Sequence, residues 1–259
     1  MLLLTTLLAP ALVVLSDGRR AHVLKNDDAV ATFIQTRVAE LANAAIAQKG
    51  TFSMSIGSGT TVKPLTEMES AVDWSKVHLF FGNERTEGDA AGKCFNGAAE
   101  LIKACGISNV YRVPSLAADE AAKEYEAMMR SAASGAVGTC TRSGLPRLDL
   151  VLLGSGADGH CASLYPESPQ VVCSPGCDRA YLPADGKGGI TLSLDAIGSA
   201  HNVILSAGKA AQADMVRKSL GWSNAGTNHK LPAGMVAASD DTQVEWLLTE
   251  DSAVELPAL

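Results

Sequence analysis

The sequence predicts an α/β fold: one domain with a mainly parallel, Rossmann-like sheet and helices on both faces. Strand-like and helix-like stretches alternate along the chain, the rhythm of a parallel sheet wound on both faces. Residues 77–81 and 148–153 are apolar runs of strand length, as buried strands require. Such runs break directly into glycine-rich or polar turns, which places those turns at the sheet edge where open α/β folds bind ligands.

Composition narrows the class of protein. The chain has 259 residues, 47% hydrophobic and 19% charged, enough apolar material for a sizeable core and too much for disorder. A net charge of −7 and a pI near 5.2 argue against a nucleic-acid partner, whose footprint would be basic. An anionic ligand must therefore be held by a local cluster of donors. Cys94, Cys105, Cys140, Cys161, Cys173 and Cys177 contain no C-x-x-C, which favours free thiols over a metal site, so no metal is expected. The apolar opening, residues 1–15, lacks a basic lead and is split by Pro10, so it reads as an N-terminal piece of a soluble protein, with no membrane partner.

In chain order, residues 28–48 place Val30, Phe33, Ile34, Val38, Leu41, Ala45 and Ile46 on one helical face. Asp27 or Asp28 would cap this helix and Gly50 would end it. Residues 51–56 form a strand that runs into Gly57, Ser58, Gly59, Thr60 and Thr61. A turn of small and hydroxyl residues there leaves backbone N–H groups to meet an anion, although a plain tight turn explains the string equally well. It is not a P-loop, because G-K-[ST] is missing. The strand at residues 77–81 ends in Gly82-Asn83-Glu84-Arg85, either a solvated loop or the source of an arginine fork suited to phosphate.

Residues 95–105 read as a helix, 109–113 as a strand, and 117–133 as a helix with Tyr125, Met128 and Met129 inward. Later strands fall at 190–194, 202–206 and 244–248, and helices at 209–220 and 250–256. With no internal repeat or low-complexity linker, residues 1–259 form one domain, and residues 1–27 are an N-terminal strand or extension.

The stretch LDLVLLGSGADGHCASLYP, residues 148–166, carries the densest chemistry. A buried strand followed by its glycines delivers Asp158 and His160 to the sheet edge. GSGADG also matches the dinucleotide fingerprint, yet Pro166, Pro169 and Pro175 occupy the region where the crossover helix would run, and no acidic residue closes a second strand at the right spacing. No cofactor is expected.

The same stretch resembles the 6-phosphogluconolactonase family, which belongs with the glucosamine-6-phosphate isomerases and deaminases. That family carries G-x-G-x-D-G-H-x-A-S-L-F-P, and this chain has GSGADGHCASLYP from Gly154 to Pro166. ITLSL from Ile190, Gly208-Lys209, and Leu231-Pro232-Ala233 with Trp246 and Asp251 extend the likeness over most of the chain from about residue 30. Departures are present too. The phosphate loop lacks one glycine and the proline of the family pattern, Asn83 stands where the family has aspartate, and Gly189 where it often has arginine, with Lys187 nearby.

The resemblance implies hydrolysis of 6-phosphoglucono-1,5-lactone in the pentose phosphate pathway by a monomeric, cytoplasmic enzyme whose only partner is its phosphorylated sugar lactone. His160 would be the general base, Asp158 its orienting partner, and the N–H groups of residues 154–159, Gly156 included, would steady the oxyanion. At i and i+2 the two side chains of Asp158 and His160 need not touch. The phosphate would lie between the Gly57 to Thr61 turn and Arg85, helped by Lys187 or Lys209. Two other readings remain open: an isomerase or deaminase on the same scaffold, and a non-catalytic sugar-phosphate sensor.

Overall fold

Successive residues of the strand that leads to His160 are buried in opposite directions. Leu150 and Leu152 join one apolar cluster, while Val151 and Leu153 join another, and all are at most 1% exposed. Side chains alternate across a strand, so a sheet with a core on each face must lie between these clusters. The computed structural model describes residues 11–132, 135–172, 176–184, 188–220 and 230–256.

The strands are β1 (Ala11–Val14), β2 (Arg20–Leu24), β3 (Phe52–Ile56), β4 (Val77–Phe81), β5 (Asn83–Arg85), β6 (Asn109–Val110), β7 (Gly138–Thr139), β8 (Pro146–Arg147), β9 (Leu150–Gly154), β10 (Tyr181–Pro183), β11 (Gly189–Leu192), β12 (Asn202–Ala207) and β13 (Gln243–Thr249). The α-helices are α1 (Asp27–Lys49), α2 (Lys93–Gly97), α3 (Ala99–Ala104), α4 (Ala118–Arg130), α5 (Pro169–Val172), α6 (Leu194–Ile197), α7 (Ala213–Leu220), α8 (Pro232–Met235) and α9 (Glu250–Ala253). The main sheet has the order β1-β2-β13-β12-β9-β3-β4-β6, and every pairing is parallel except β1 with β2. Val30, Ile34, Val38 and Ala42 of α1 and Leu101 of α3 cover one face. Ala121, Ala122, Tyr125 and Met129 of α4 and Met215, Val216 and Leu220 of α7 cover the other.

The expected single α/β domain with a mainly parallel sheet is thus present. From β3 the chain steps outward through β4 to β6, then returns to lay β9 on the opposite side of β3 and continues outward to β12 and β13. The direction of winding reverses between β3 and β9, and the loops leaving their carboxyl ends diverge there. Those loops are the Gly57 to Thr61 turn and the turn that carries His160.

Several elements differ from the sequence expectation. Asn26, rather than Asp27 or Asp28, caps α1: its side chain accepts from Ala29 N–H at 3.0 Å. Gly50 ends that helix in the left-handed region at φ 83°, as expected. The single helix expected at 95–105 is two, α2 and α3, joined at Ala98. The ITLSL stretch does not enter the parallel sheet. As β11 it lies between β10 and β5 in a separate antiparallel sheet, and Ser193 goes on to cap α6. Residues 11–14 of the apolar N-terminus form an antiparallel edge strand.

A buried ionic network fixes the far side of the sheet. Glu245 of β13, 3% exposed, meets His22 Nε2 of β2 at 3.0 Å and Arg37 Nε of α1 at 2.8 Å. Burial pushes the Glu245 carboxyl up, and the His22 and Arg37 partners more than reverse this, so it lies below its ordinary value.

Candidate active site

Asp158 and His160 are in direct contact. Asp158 Oδ1 lies 2.6 Å from His160 Nδ1 and accepts the His160 backbone N–H at 3.2 Å. Burial raises the Asp158 pKa, but the backbone and ring hydrogen bonds and the charge of His160 outweigh it and hold the carboxyl below its usual range. An ionised carboxylate can only accept, so Nδ1 is the donor in this contact, and in the neutral imidazole the lone pair falls on Nε2. Tyr165 packs its ring against the imidazole, with centroids 4.9 Å apart.

The turn that produces this pair depends on two glycines. A Cβ on Gly156 would stand 2.2 Å from His160 Nδ1 and 2.4 Å from Asp158 Oδ1, inside the pair itself. Gly159 has φ 87°, and a Cβ there would strike Leu231 at 2.8 Å. Leu231 precedes α8, and the Ala233 N–H donates to Gly159 O at 3.0 Å, so the Leu-Pro-Ala stretch braces the turn from outside. One expectation is corrected here. The N–H of Gly156 donates to His160 O at 2.9 Å, that of Gly159 to Gly156 O at 3.0 Å, and that of Ser155 to Ser206 O at 3.0 Å. These three amides are committed to shaping the turn, which leaves Ala157 and Asp158 as the residues between Ser155 and Gly159 whose N–H groups are not engaged in these bonds. Gly156 serves the site by its lack of a side chain.

On the neighbouring strand, Gly57 to Thr61 forms a turn against the end of β9. A Cβ on Gly154 would lie 3.9 Å from Thr61 Cγ2. Thr61 is 2% exposed, and its hydroxyl has no hydrogen-bond partner among the described residues. A buried hydroxyl left unmatched is costly unless a ligand completes it. Asn83 links the two turns: its Nδ2 donates to Ser163 Oγ at 2.9 Å, and its Oδ1 would be 3.7 Å from a Cβ on Gly57. Ser163, 4% exposed, is the acceptor in that bond.

The remaining basic residues are dispersed. Arg85 closes β5 opposite Gly189 of β11. Where related sequences often carry arginine, Gly189 is here enforced, since a Cβ would lie 2.2 Å from Glu84 O. Lys209 forms an ion pair with Asp27. Lys187 lies outside the described residues, as does Cys173. A cavity of about 610 Å³ opens at this edge, lined by Thr60, Gly154, Ser155 and Lys209, and also by Lys63, which sequence reasoning passed over. His160 and Arg85 are not among its walls, so the cavity is continuous with only part of the expected site. Among the described residues no cluster of metal-ligating side chains occurs, and no helix is long and apolar enough to cross a membrane.

Fold and site together define a doubly wound α/β protein with a carboxylate-supported histidine and a glycine- and hydroxyl-rich turn on either side of its switch point. Residues 25–246 match the family described as glucosamine-6-phosphate isomerases/6-phosphogluconolactonase, and the chain belongs to that family. It is 31% identical over 232 residues to a probable 6-phosphogluconolactonase 3, chloroplastic, of Oryza sativa, a match covering 84% of this chain and 70% of the relative. It is 29% identical over 255 residues to a 6-phosphogluconolactonase of Mycobacterium bovis, covering 92% and 98%. Among solved structures, the 6-phosphogluconolactonase of Trypanosoma cruzi shares the fold with a TM-score of 0.75 at 18% identity, over 92% of this chain and 97% of that one. The enzyme of Trypanosoma brucei does so at 0.73 and 21%, over 91% and 98%.

Proposed function

We propose that this chain hydrolyses 6-phosphoglucono-1,5-lactone to 6-phosphogluconate, a step of the pentose phosphate pathway, as a single-domain cytoplasmic monomer. The observation that carries the reading is the Asp158–His160 pair, 2.6 Å apart at the switch point, with its free lone pair on Nε2. A lactone is an activated ester, so a positioned base that deprotonates water suffices. Water oxygen attacks the ring carbonyl carbon while His160 Nε2 takes the proton, giving a tetrahedral oxyanion and an imidazolium held by Asp158. Collapse breaks the bond to the ring oxygen, which recovers the proton from His160. The new carboxylic acid then ionises in water. The Gly57 to Thr61 turn, with its unmatched Thr61 hydroxyl, and Arg85 hold the phosphate, and Lys209 joins them once it leaves Asp27.

The test is spectrophotometric lactone hydrolysis by the purified chain and by His160→Ala. Turnover should fall about 10²–10⁴-fold in the variant, the usual worth of a general base. Near-normal rates in that variant would refute the assignment. Ammonia release from glucosamine 6-phosphate, in place of lactone hydrolysis, would mark an isomerase or deaminase instead.

A further inference from the structure

We propose that Glu84 is a positioning residue whose single buried carboxylate sets the spacing between Arg85 and the Gly57 to Thr61 turn. The inference rests on the preceding reading that these two elements grip a phosphate. Glu84 is 3% exposed, its carboxylate turned into the protein. Its Oε1 accepts the backbone N–H of Arg85 at 2.9 Å and that of Cys94 at 2.8 Å, and its Oε2 accepts the N–H of Phe95 at 2.8 Å. Cys94 and Phe95 lie in the first turn of α2, where a carboxylate matches amides that have no partner within the helix. The Gly92 N–H also donates to Arg85 O at 2.9 Å, so the chain between Arg85 and α2 is closed into a tight loop.

The same short helix touches the anion turn. A Cβ on Gly97 would lie 3.7 Å from Ser58 Cβ, so α2 packs directly against the turn. One carboxylate therefore reaches the arginine directly and the turn through α2. A phosphate bound between a guanidinium and backbone amides needs both sides at a fixed distance, because hydrogen bonds weaken steeply with misalignment. The substitution Glu84→Gln would keep one acceptor and aim an NH₂ at backbone donors, so one side of the clamp would have to release. The substitution Glu84→Asp would keep the charge but shorten the reach by one methylene.

The experiment titrates inorganic phosphate into the full chain by calorimetry for wild type, Glu84→Gln and Glu84→Asp. It also measures KM and kcat on 6-phosphoglucono-1,5-lactone and on unphosphorylated glucono-1,5-lactone. For Glu84→Gln, phosphate affinity should fall roughly tenfold, the size of a lost charge-assisted bond, and KM for the phosphorylated lactone should rise alike. Its kcat should change little and its preference for the phosphorylated lactone should shrink, with Glu84→Asp shifting less in the same sense. Unchanged phosphate affinity, no phosphate binding by wild type, a parallel fall of kcat on both lactones, or loss of fold in both variants would overturn the proposal. Phosphate binding weakened by Glu84→Gln in a chain that hydrolyses neither lactone would instead sink the lactonase reading and leave the role of Glu84 standing.

Discussion

At residue 156 the requirement is for the absence of atoms. A methyl group there would occupy the space of the His160 Nδ1 and Asp158 Oδ1 contact, with no flexible neighbour to give way except the pair itself. Gly156→Ala should therefore separate Asp158 from His160 and lower kcat to within about tenfold of the His160→Ala level, since a base without its orienting partner loses most of its advantage. Circular dichroism should show the fold retained, because the turn lies at the sheet edge. Wild-type turnover in Gly156→Ala would show that the 2.6 Å contact is dispensable. Position 156 was legible in the sequence as a glycine of the turn. Its steric role was not, because that depends on where the side chains two and four residues on fold back.

Strands β2 and β13 and helix α1 are held together by Glu245 between His22 and Arg37. Folding lowers the Glu245 pKa, so its contribution is fully present above the unfolded-chain value of about 4.3 and disappears as pH falls through the lowered folded value. Glu245→Gln, which cannot ionise, should melt well below wild type at neutral pH, with the two melting temperatures converging as the pH falls below about 4. Melting curves that stay equally far apart across that range would dissociate the network from acid stability. The elements themselves were largely readable where a period is unbroken. Val77–Phe81 matches its expected bounds, and α1 does so within a residue at each end. Misreadings occurred where tertiary contacts choose among local options. ITLSL has the β-branched, apolar character of any strand, and of its two pairing partners one, β5, lies over 100 residues earlier.

Across the whole molecule, the site exists because the winding reverses between β3 and β9. Asn83 holds the two halves in register through its bond to Ser163, 80 residues away in sequence. Asn83→Ala should lower kcat/KM roughly tenfold by removing one buried hydrogen bond and loosening the loop that carries His160. Kinetics indistinguishable from wild type would mean that the two turns keep their spacing without it. In the sequence Asn83 reads only as a departure from a family carboxylate, with no sign of its partner.

The sequence by itself determined the class of fold, the strand and turn that present Asp158 and His160, the hydroxyl-rich turn at Gly57 to Thr61, and the family to which residues 25–246 belong. All are local patterns, written in periodicity and in consecutive residue types. Only the tertiary structure decided that these turns are neighbours, that the amides of Ser155, Gly156 and Gly159 are already committed within the fold, that Glu84 is buried under three N–H groups, and that Lys209 is engaged by Asp27. Each of these joins residues set side by side by the order of strands in the sheet or by the fold of a turn. Strand order follows from how the helices cover both faces and from the return of the chain between β6 and β9, a long-range choice that no short window of residues encodes.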